Sequence, residues 1–255
     1  MNLLHRWLCS SSRWKDAVGT QILPWALEGL ELGSNVLEVG PGYGVTTALL
    51  HDRVEHLTCV EIDRTLAQNL RRRNEGRDVT VLCESATAMS LPDAAFDGAV
   101  SFTMLHHVPS LALQDQLLVE VARVLRPGGI FAGTDSCYSR VFGLLHLFDT
   151  MIVVEPSTFP DRLRAAGFEH IRVDLQSDRF RFRARKPSRN RSFLRDSSPT
   201  EIPPPVAAST AVRLELSCQN GWSKRFAKLG KLNVGFSISP ARDFKWSADY
   251  RLWTI

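Results

Sequence analysis

An acidic residue and three glycines alternate with other residues near the start of the chain. In the stretch VLEVGPGYG, Glu38 is followed at intervals of two by Gly40, Gly42 and Gly44. Glycine lacks a Cβ, so a ligand can approach the backbone of such a loop closely. Phosphate-binding loops of dinucleotide-binding proteins have the different spacing GxGxxG. A carboxylate at Glu38 would repel a pyrophosphate and suits a cationic ligand, such as an ammonium or a sulfonium.

A second carboxylate, Glu61, follows the next apolar run. It comes about twenty residues after the first glycine, where a carboxylate in a parallel sheet accepts hydrogen bonds from ribose hydroxyls. A ligand that has a ribose and a cationic end but no phosphate is S-adenosylmethionine. The spacing and Glu38 also argue against a nicotinamide-dependent oxidoreductase, because that cofactor carries phosphates.

The residues between about 35 and 135 alternate between apolar runs of strand length and segments with helical periodicity. Strands are predicted at 35–39, 57–62, 79–83, 97–103 and 129–134, and helices at 45–53, at 64–73 after the capping residue Asp63, and from Ser110 to the RPGG stretch at 126–129. Residues 170–175 and 179–187 alternate as an antiparallel hairpin would. This order predicts an α/β fold with a parallel sheet covered by helices on both faces.

Four of these segments resemble, in order, motifs of the class I S-adenosylmethionine-dependent methyltransferases. VLEVGPGYG is similar to their first motif and CVEIDRTLAQNL to their second. LPDAAFDGAVSFTMLHHV resembles the segment around their fourth strand, and EVARVLRPGGIFAGTD the helix, turn and strand that follow. The resemblance, to small-molecule methyltransferases of type 11, covers 30–135 closely and 136–187 loosely. It implies a Rossmann-like, doubly wound sheet of seven strands, mostly parallel with an antiparallel last strand.

The resemblance also implies a set of cofactor-binding residues. Glu38, Gly40, Gly42 and Gly44 would surround the methionine end, Glu61 would bind the ribose, and Ile62 would pack on the adenine. Ser85 and Ala86 occupy positions where the family usually has Asp and Ala near the adenine amino group, so either Ser85 or the neighbouring Glu84 would replace that Asp. Ser101, with Phe102 and Thr103, would form a floor under the sulfonium.

Two adjacent histidines after the fourth predicted strand are the candidate catalytic residues. Methyl transfer from a sulfonium depends mainly on alignment, and a base is needed only if the acceptor must lose a proton. His106 and His107 suit that role because the imidazole pKa lies near neutrality, at about 6.5. They could instead pack under the loop and cap the next helix. Asp135 and Tyr43 are expected at the same end of the sheet, and no bound metal is expected.

The acceptor is expected to enter between an N-terminal helical lid, residues 1–30, and the segment 136–156. These segments carry apolar side chains, which favour a small or lipid-like acceptor but could equally be ordinary core: Trp7, Trp14, Trp25, Phe142, Leu144, Leu145, Leu147 and Phe148. The predicted function is therefore methyl transfer to a small acceptor by a domain spanning residues 1–187.

Two other functions are compatible with the sequence. GPGYGVTTALL followed by VEID resembles the RNA adenine methylases, but SFTMLHHV lacks the Asn or Asp and the aromatic ring with which those enzymes hold a flipped base. The substitution at Ser85 and the atypical C-terminal segment leave open a non-catalytic S-adenosylmethionine-binding protein.

Composition sets broader limits on the 255-residue chain. The net charge of +4 arises from residues 188–255, so no nucleic-acid partner is predicted for the preceding domain. That segment begins polar and proline-rich, which predicts a linker followed by a tail without an assignable fold. Five cysteines without a CxxC pair favour a reduced, cytoplasmic protein. No run is long enough to span a membrane, so no stable membrane insertion is expected; the oligomeric state is left open.

Overall fold

The computed structural model describes residues 7–9, 11–146 and 149–188. The predicted tail beyond 188, the first six residues of the predicted lid, and Leu147 and Phe148 on the acceptor side lie outside these residues. The strands are β1 Asn35–Val39, β2 His56–Val60, β3 Val79–Leu82, β4 Phe96–Phe102, β5 Leu125–Ser136, β6 Glu169–Gln176 and β7 Arg179–Arg185. The α-helices are α1 Ser12–Ala17, α2 Leu23–Ala26, α3 Thr47–Leu50, α4 Arg64–Arg73, α5 Leu111–Val124, α6 Arg140–Leu145 and α7 Phe159–Ala165.

The seven strands form one sheet in the order β3-β2-β1-β4-β5-β7-β6. Strands β1 to β5 run parallel, whereas β7 lies between β5 and β6 and is antiparallel to both. The predicted Rossmann-like sheet with an antiparallel last strand is therefore confirmed. Because the strand order reverses between β1 and β4, this part of the sheet opens a crevice at the carboxyl ends of the strands.

Helices cover both faces of the sheet and produce two apolar cores. On one face, Leu37 and Val39 of β1 pack with the buried side of α5 and with Phe131, Phe159 and Phe182. On the other face, Val36 of β1 packs with residues of α2 and α4. This alternation follows from the two-residue period of a strand. Glu38 consequently points to the second face together with Val36.

The predicted start of the fifth strand was wrong. Arg126, Pro127, Gly128 and Gly129 were expected to form a turn before a strand at 129–134, but β5 already begins at Leu125. The pairing of β4 with β5 is irregular at this point, because Phe96 pairs with Leu125 and Gly98 with Ile130, which leaves three more residues on β5 than on β4. The irregularity accommodates the proline and glycines that an uninterrupted central strand would not tolerate, so α5 runs directly into the sheet.

Two helical segments are irregular or shorter than predicted: the one before β1 and the one after the glycine loop. Helices α1 and α2 are joined by a π-helical turn, Val18–Ile22, so residues 12–26 form one continuous irregular helix. The helix predicted at 45–53 is reduced to Thr47–Leu50. Within the described ranges, no helix combines the length and apolar character that crossing a membrane would require.

Candidate functional site

A cavity of about 610 Å³ lies at the carboxyl ends of β1 to β4. Its floor is formed by the residues that follow these four strands, and α1 with the π-helical turn contributes Trp14, Val18 and Ile22 from above. On its far side the cavity reaches His106, His107, Phe142 and His146. Its volume falls within the ~300–1,000 Å³ typical of small-molecule sites.

The glycines of the loop serve two different purposes: some allow close packing of neighbouring side chains, and one borders open space. A Cβ on Gly40 would lie 2.2 Å from Cγ of Met104, so this residue is small because the segment after β4 packs against it. Gly42 has φ of +55°, a left-handed conformation, and a Cβ there would meet no atom within 4 Å. Gly42 therefore borders open space in the cavity, where a ligand can contact the backbone. Gly44 packs against Leu70 and is not part of the cavity lining.

The Glu38 carboxylate lies beneath the loop instead of facing the cavity. It is only 1% exposed and accepts hydrogen bonds from the hydroxyls of Thr46 and Thr47, the latter at 2.6 Å. The thiol of Cys59 lies 3.5 Å away. Burial raises the pKa of the Glu38 carboxyl, while these hydrogen bonds oppose that effect. Glu38 thus fixes the end of the loop against α3, and it does not contribute to the cavity surface.

Glu61 connects the end of β2 to the glycine loop. One carboxylate oxygen accepts the backbone N–H of Gly42 at 2.9 Å, and the other accepts the backbone N–H of Asp63 at 2.9 Å. The residue lines the cavity and is 6% exposed. Burial raises the pKa of its carboxyl above the ordinary value, against the lowering effect of the two backbone donors. Each oxygen retains a further lone pair that can accept a ligand hydroxyl.

The neighbouring Ile62 is 73% exposed and lines the same cavity. A large aliphatic side chain in this position offers a flat apolar surface to an aromatic ligand. Directly after it, Asp63 caps α4 by accepting the N–H groups of Thr65 and Leu66, as predicted.

The segment after β3 brings Glu84, Ser85, Ala86 and Thr87 to the cavity wall. The Ser85 hydroxyl lies 2.8 Å from the Thr87 hydroxyl, within a local turn. The Glu84 carboxylate instead bonds the hydroxyl of Ser90 at 2.7 Å and its backbone N–H at 3.2 Å. Ser85 and Thr87 therefore offer neutral hydroxyls at the position where a carboxylate is usual in the family that the sequence resembles, and the carboxylate of the adjacent Glu84 is already bonded to Ser90.

The end of β4 makes a sharp turn into the cavity. Ser101 is fully buried within the strand and is not on the cavity surface, whereas Phe102, Thr103 and Met104 line it. Thr103 has φ of +49°, an unusual conformation for a β-branched residue, and its N–H donates to the carbonyl of Thr134 at 2.8 Å. This turn directs Met104 under Gly40 and starts the short 3₁₀ helix Leu105–His107.

His106 is held by Asp135 from the end of β5. Its Nδ1 lies 2.5 Å from Oδ1 of Asp135, and its backbone N–H donates to Oδ2 of the same residue at 3.2 Å. Both residues are buried, His106 at 2% exposure. The carboxylate fixes Nδ1 as the protonated nitrogen, so Nε2 carries the free lone pair. Among the described residues, Nε2 has no hydrogen-bond partner.

His107 and His146 complete a cluster around His106, which we call the histidine cluster. The ring of His106 is 4.2 Å from that of His107 and 5.0 Å from that of His146, measured between centroids. Phe142 packs edge-on against His106 at 5.0 Å. Sequence reasoning missed His146, because it lies forty residues from the pair in a segment without a recognisable motif.

The apolar wall on the acceptor side is only partly the one predicted. Trp14 and Phe142 line the cavity. Trp7 and Leu144 are exposed and absent from the lining, and Trp25 packs beneath the guanidinium of Arg181 at 5.1 Å. The wall is completed by side chains that were not singled out: Val18, Ile22, Val108, Leu113 and Leu117. Tyr43 lines the cavity, and Asp135 contacts it only through His106.

Comparison with known families gives a match to one of them. Residues 37–133 match the family model described as "Methyltransferase domain". A ribosomal RNA small subunit methyltransferase A of Bordetella pertussis is 46% identical over 61 residues, which is 24% of this chain and 22% of that protein. A probable S-adenosylmethionine-dependent methyltransferase of Mycolicibacterium smegmatis is 32% identical over 99 residues, 39% of this chain and 37% of that protein. The chain thus matches well under half of these relatives.

Solved structures share the fold at low sequence identity. A putative methyltransferase bound to the Trm112 methyltransferase activator of Haloferax volcanii is 17% identical, with a TM-score of 0.60 over 73% of this chain and 99% of that one. A phosphoethanolamine N-methyltransferase of Haemonchus contortus, in complex with S-adenosylhomocysteine, is 15% identical with a TM-score of 0.58 over 72% of this chain and 56% of that one. Residues 37–133 therefore match the methyltransferase domain family, and the described residues share the fold of S-adenosylmethionine-dependent methyltransferase structures.

Proposed function

We propose that this protein transfers the methyl group of S-adenosylmethionine to a small, apolar or lipid-like acceptor. One observation carries the proposal: a single cavity extends from the glycine loop and Glu61 to the histidine cluster. A cofactor and an acceptor can therefore lie next to each other in one cavity. Transfer reactions require this proximity more than any other feature.

The residues at one end of the cavity fit the cofactor. The open space at Gly42 admits a ligand against the backbone, the Glu61 oxygens can accept ribose hydroxyls, and Ile62 presents apolar surface to an adenine. Ser85 and Thr87 add hydroxyls at the edge of the same wall. When bound, S-adenosylmethionine supplies an electrophilic methyl group on a sulfonium.

The residues of the chain itself would bind and orient the cofactor and the acceptor, and they would exclude water from the cavity. Trp14, Val18 and Ile22 cover the cavity with apolar side chains and reduce access of water to it. The Asp135 carboxylate orients the ring of His106 so that its Nε2 can accept a hydrogen bond from the acceptor. The role expected for His106 or His107 in removing an acceptor proton is part of this proposal. His106 is the better candidate of the two, because its tautomer is set by a buried carboxylate.

The acceptor class is inferred from the wall opposite the glycine loop. Trp14, Leu113, Leu117 and Phe142 face the cavity there, and a wall of this kind favours an apolar ligand. Polar groups near this wall are concentrated at the histidine cluster and at Asp149 and Thr150. An acceptor with an apolar body and one polar reacting atom matches this distribution.

RNA adenine methylation is a second candidate, and one comparison favours it. The Bordetella relative carries a ribosomal RNA methyltransferase name and is 46% identical over its matched segment. The end of β4 and the residues that follow it argue against RNA adenine methylation. The segment from Ser101 to Met104 contains no Asn or Asp, and so it lacks the amide or carboxylate, followed by an aromatic ring, with which such enzymes hold a flipped base. We therefore rank it second.

Methyl transfer by the full-length protein from isotopically labelled S-adenosylmethionine would separate these functions. We expect label in a lipid-containing small-molecule extract and none in purified ribosomal RNA. Label in RNA alone would overturn the proposed acceptor class. Cofactor binding without transfer to either fraction would favour the non-catalytic alternative.

A pair of tryptophans offers a matched test of the acceptor wall. Trp14 lines the cavity, whereas Trp7 is 68% exposed and does not. We expect Trp14→Ala to raise the KM for the acceptor at least tenfold while changing the affinity for S-adenosylhomocysteine less than threefold. Trp7→Ala should change neither quantity. Equal effects of the two substitutions would contradict the placement of the acceptor.

A further inference from the structure

Three histidines converge on one side of the cavity. One ring nitrogen from each of His106, His107 and His146 lies within 4.8 Å of the corresponding nitrogen of the other two. His106 and His146 are buried and His107 is half-buried. All three line the cavity. Three imidazoles whose ring nitrogens lie close together are a common arrangement for binding a transition-metal ion.

Two of the three rings are already held in the tautomer that a metal ligand needs. His106 donates its Nδ1 proton to Asp135, which leaves the Nε2 lone pair available. His146 has its Nδ1 2.8 Å from the carbonyl of Phe142, which can only accept a hydrogen bond, so Nδ1 carries the proton and Nε2 is the unprotonated nitrogen of the neutral ring. Carboxylate and carbonyl partners of this kind typically orient metal-binding histidines.

The backbone segments around the cluster are cross-linked to one another. The N–H of Ile152 donates to the carbonyl of His106 at 2.8 Å. The buried amide of Gln114 donates to the carbonyls of Leu105 and Ile152, at 3.0 and 2.8 Å. These bonds join the 3₁₀ helix, α5 and the segment after α6. Such support is what a preformed ligand site requires.

A bound ion would satisfy a buried acceptor in the cluster. His106 Nε2 is buried and has no hydrogen-bond partner in the described part of the chain. Leaving a buried acceptor without a partner typically costs ~1–3 kcal/mol. The cation would also be favoured by the buried carboxylate of Asp135 behind His106.

We propose that His106, His107 and His146 bind a divalent transition-metal ion of the Zn²⁺ type, with one coordination position open to the cavity. Tetrahedral coordination with Zn–N distances of about 2.0–2.1 Å sets the ligand nitrogens about 3.4 Å apart. The nitrogens must approach one another from their present separation, and rotations of the three side chains can provide that movement. Three histidines with a fourth position open are the pattern of a catalytic, not a structural, zinc site.

The open position implies something about the acceptor, and this step rests on the proposed function. A ligand that enters the cavity could complete the coordination with an oxygen or sulfur atom. An alcohol, phenol or thiol on an apolar body would then be held by the ion while its body contacts Phe142 and Leu113. Coordination would also promote ionisation of that group, with its proton released to water. Under this proposal His106 acts on the acceptor through the ion instead of accepting its proton directly.

The test is metal binding by the full-length protein after treatment with a chelator and dialysis. Zn²⁺ is titrated calorimetrically, and Co²⁺ is added separately because its visible absorption reports coordination geometry. We expect one ion per chain, with a tetrahedral Co²⁺ spectrum. His146→Ala should weaken Zn²⁺ binding at least 100-fold, and Asp135→Asn about 10- to 100-fold, as expected for the partner of a ligating histidine. His170→Ala is the matched control, because His170 is an exposed histidine on β6, and it should have no effect.

The possible results of this experiment distinguish the metal site from the cofactor site. Absence of binding at micromolar Zn²⁺, or unchanged binding in His146→Ala, would overturn the site. His146→Gln provides a second variant, and thermal unfolding identifies any variant that fails to fold. S-adenosylhomocysteine affinity is measured in the same samples. A protein that binds this nucleoside but no metal refutes the metal site alone, whereas one that binds the metal but no nucleoside refutes the cofactor part of the proposed function alone. If methyl transfer continued after complete removal of the metal, the catalytic role of the ion would be refuted, and His106 would act as a direct base.

Discussion

Glu61 provides the most informative single perturbation of the proposed cofactor site. Its two carboxylate oxygens each accept one backbone N–H, from Gly42 and from Asp63, and each has capacity for one more donor. Glu61→Ala would remove the acceptor for the ribose hydroxyls and would also release the N–H of Gly42 in the loop.

The expected loss follows from the charge of the acceptor. Hydrogen bonds to an ionised group contribute about 1.5–3 kcal/mol, which corresponds to a weakening of roughly 10- to 150-fold in Kd. Isothermal titration of the full-length protein with S-adenosylhomocysteine measures this directly. Thermal unfolding of the free variant shows whether the loop is destabilised independently of binding.

Glu84 is the matched control for Glu61. Both are glutamates that follow neighbouring parallel strands and line the same cavity, but the Glu84 carboxylate is bonded to Ser90. We expect Glu84→Ala to change the affinity less than threefold. If Glu84→Ala weakened binding as much as Glu61→Ala, the ribose assignment to Glu61 would be refuted, and the carboxylate after β3 would have to be considered in its place.

Three further predictions concern the same domain. Gly42→Ala and Gly76→Ala both place a Cβ at positive φ in free space and should each cost ~1–2 kcal/mol of folding stability, measured by denaturant unfolding. Only Gly42→Ala should also weaken S-adenosylhomocysteine binding, and an equal effect of both would refute the role of the loop. Burial raises the pKa of Glu61, and ribose donors require its ionised form, so affinity should fall as pH decreases from 7.5 to 5. Glu61→Gln should remove that dependence in titrations across this range. A chain ending at Ser188 should retain its S-adenosylhomocysteine affinity within twofold, and a larger loss would show that the domain extends further.

Much of the fold could be predicted because the sequence pattern is local and repetitive. Apolar runs of strand length, with helical segments such as 64–73 between them, specify a parallel sheet, and alternation at 170–187 specifies the antiparallel hairpin. The start of β5 was not predictable in the same way. Pro127 and the two glycines that follow it are typical of a turn, and only the pairing with β4 shows that this segment belongs to an irregular strand.

The sequence predicted which loop forms the site, but it did not predict the contacts of the individual residues in that loop. Gly40 and Gly44 are glycine because Met104 and Leu70 pack against them, and such long-range contacts leave no signature in the glycine spacing. Glu38 was assigned to the ligand from its charge, yet the hydroxyls of Thr46 and Thr47 bind it beneath the loop.

The histidine cluster marks the limit of reasoning from sequence. His106 and His107 were identified from their position after β4, but their neighbour His146 is brought to them only by the fold of the segment after β5. The bond from Asp135 to His106 likewise joins the ends of adjacent strands, which a one-dimensional pattern places only approximately.

A crystal structure of the full-length protein with S-adenosylhomocysteine is the most direct test of the central claim. We expect the ribose hydroxyls within hydrogen-bonding distance of Glu61, the adenine against Ile62, and the sulfur directed across the cavity toward the histidine cluster. A nucleoside bound elsewhere, or with its sulfur facing away from the three histidines, would contradict the account.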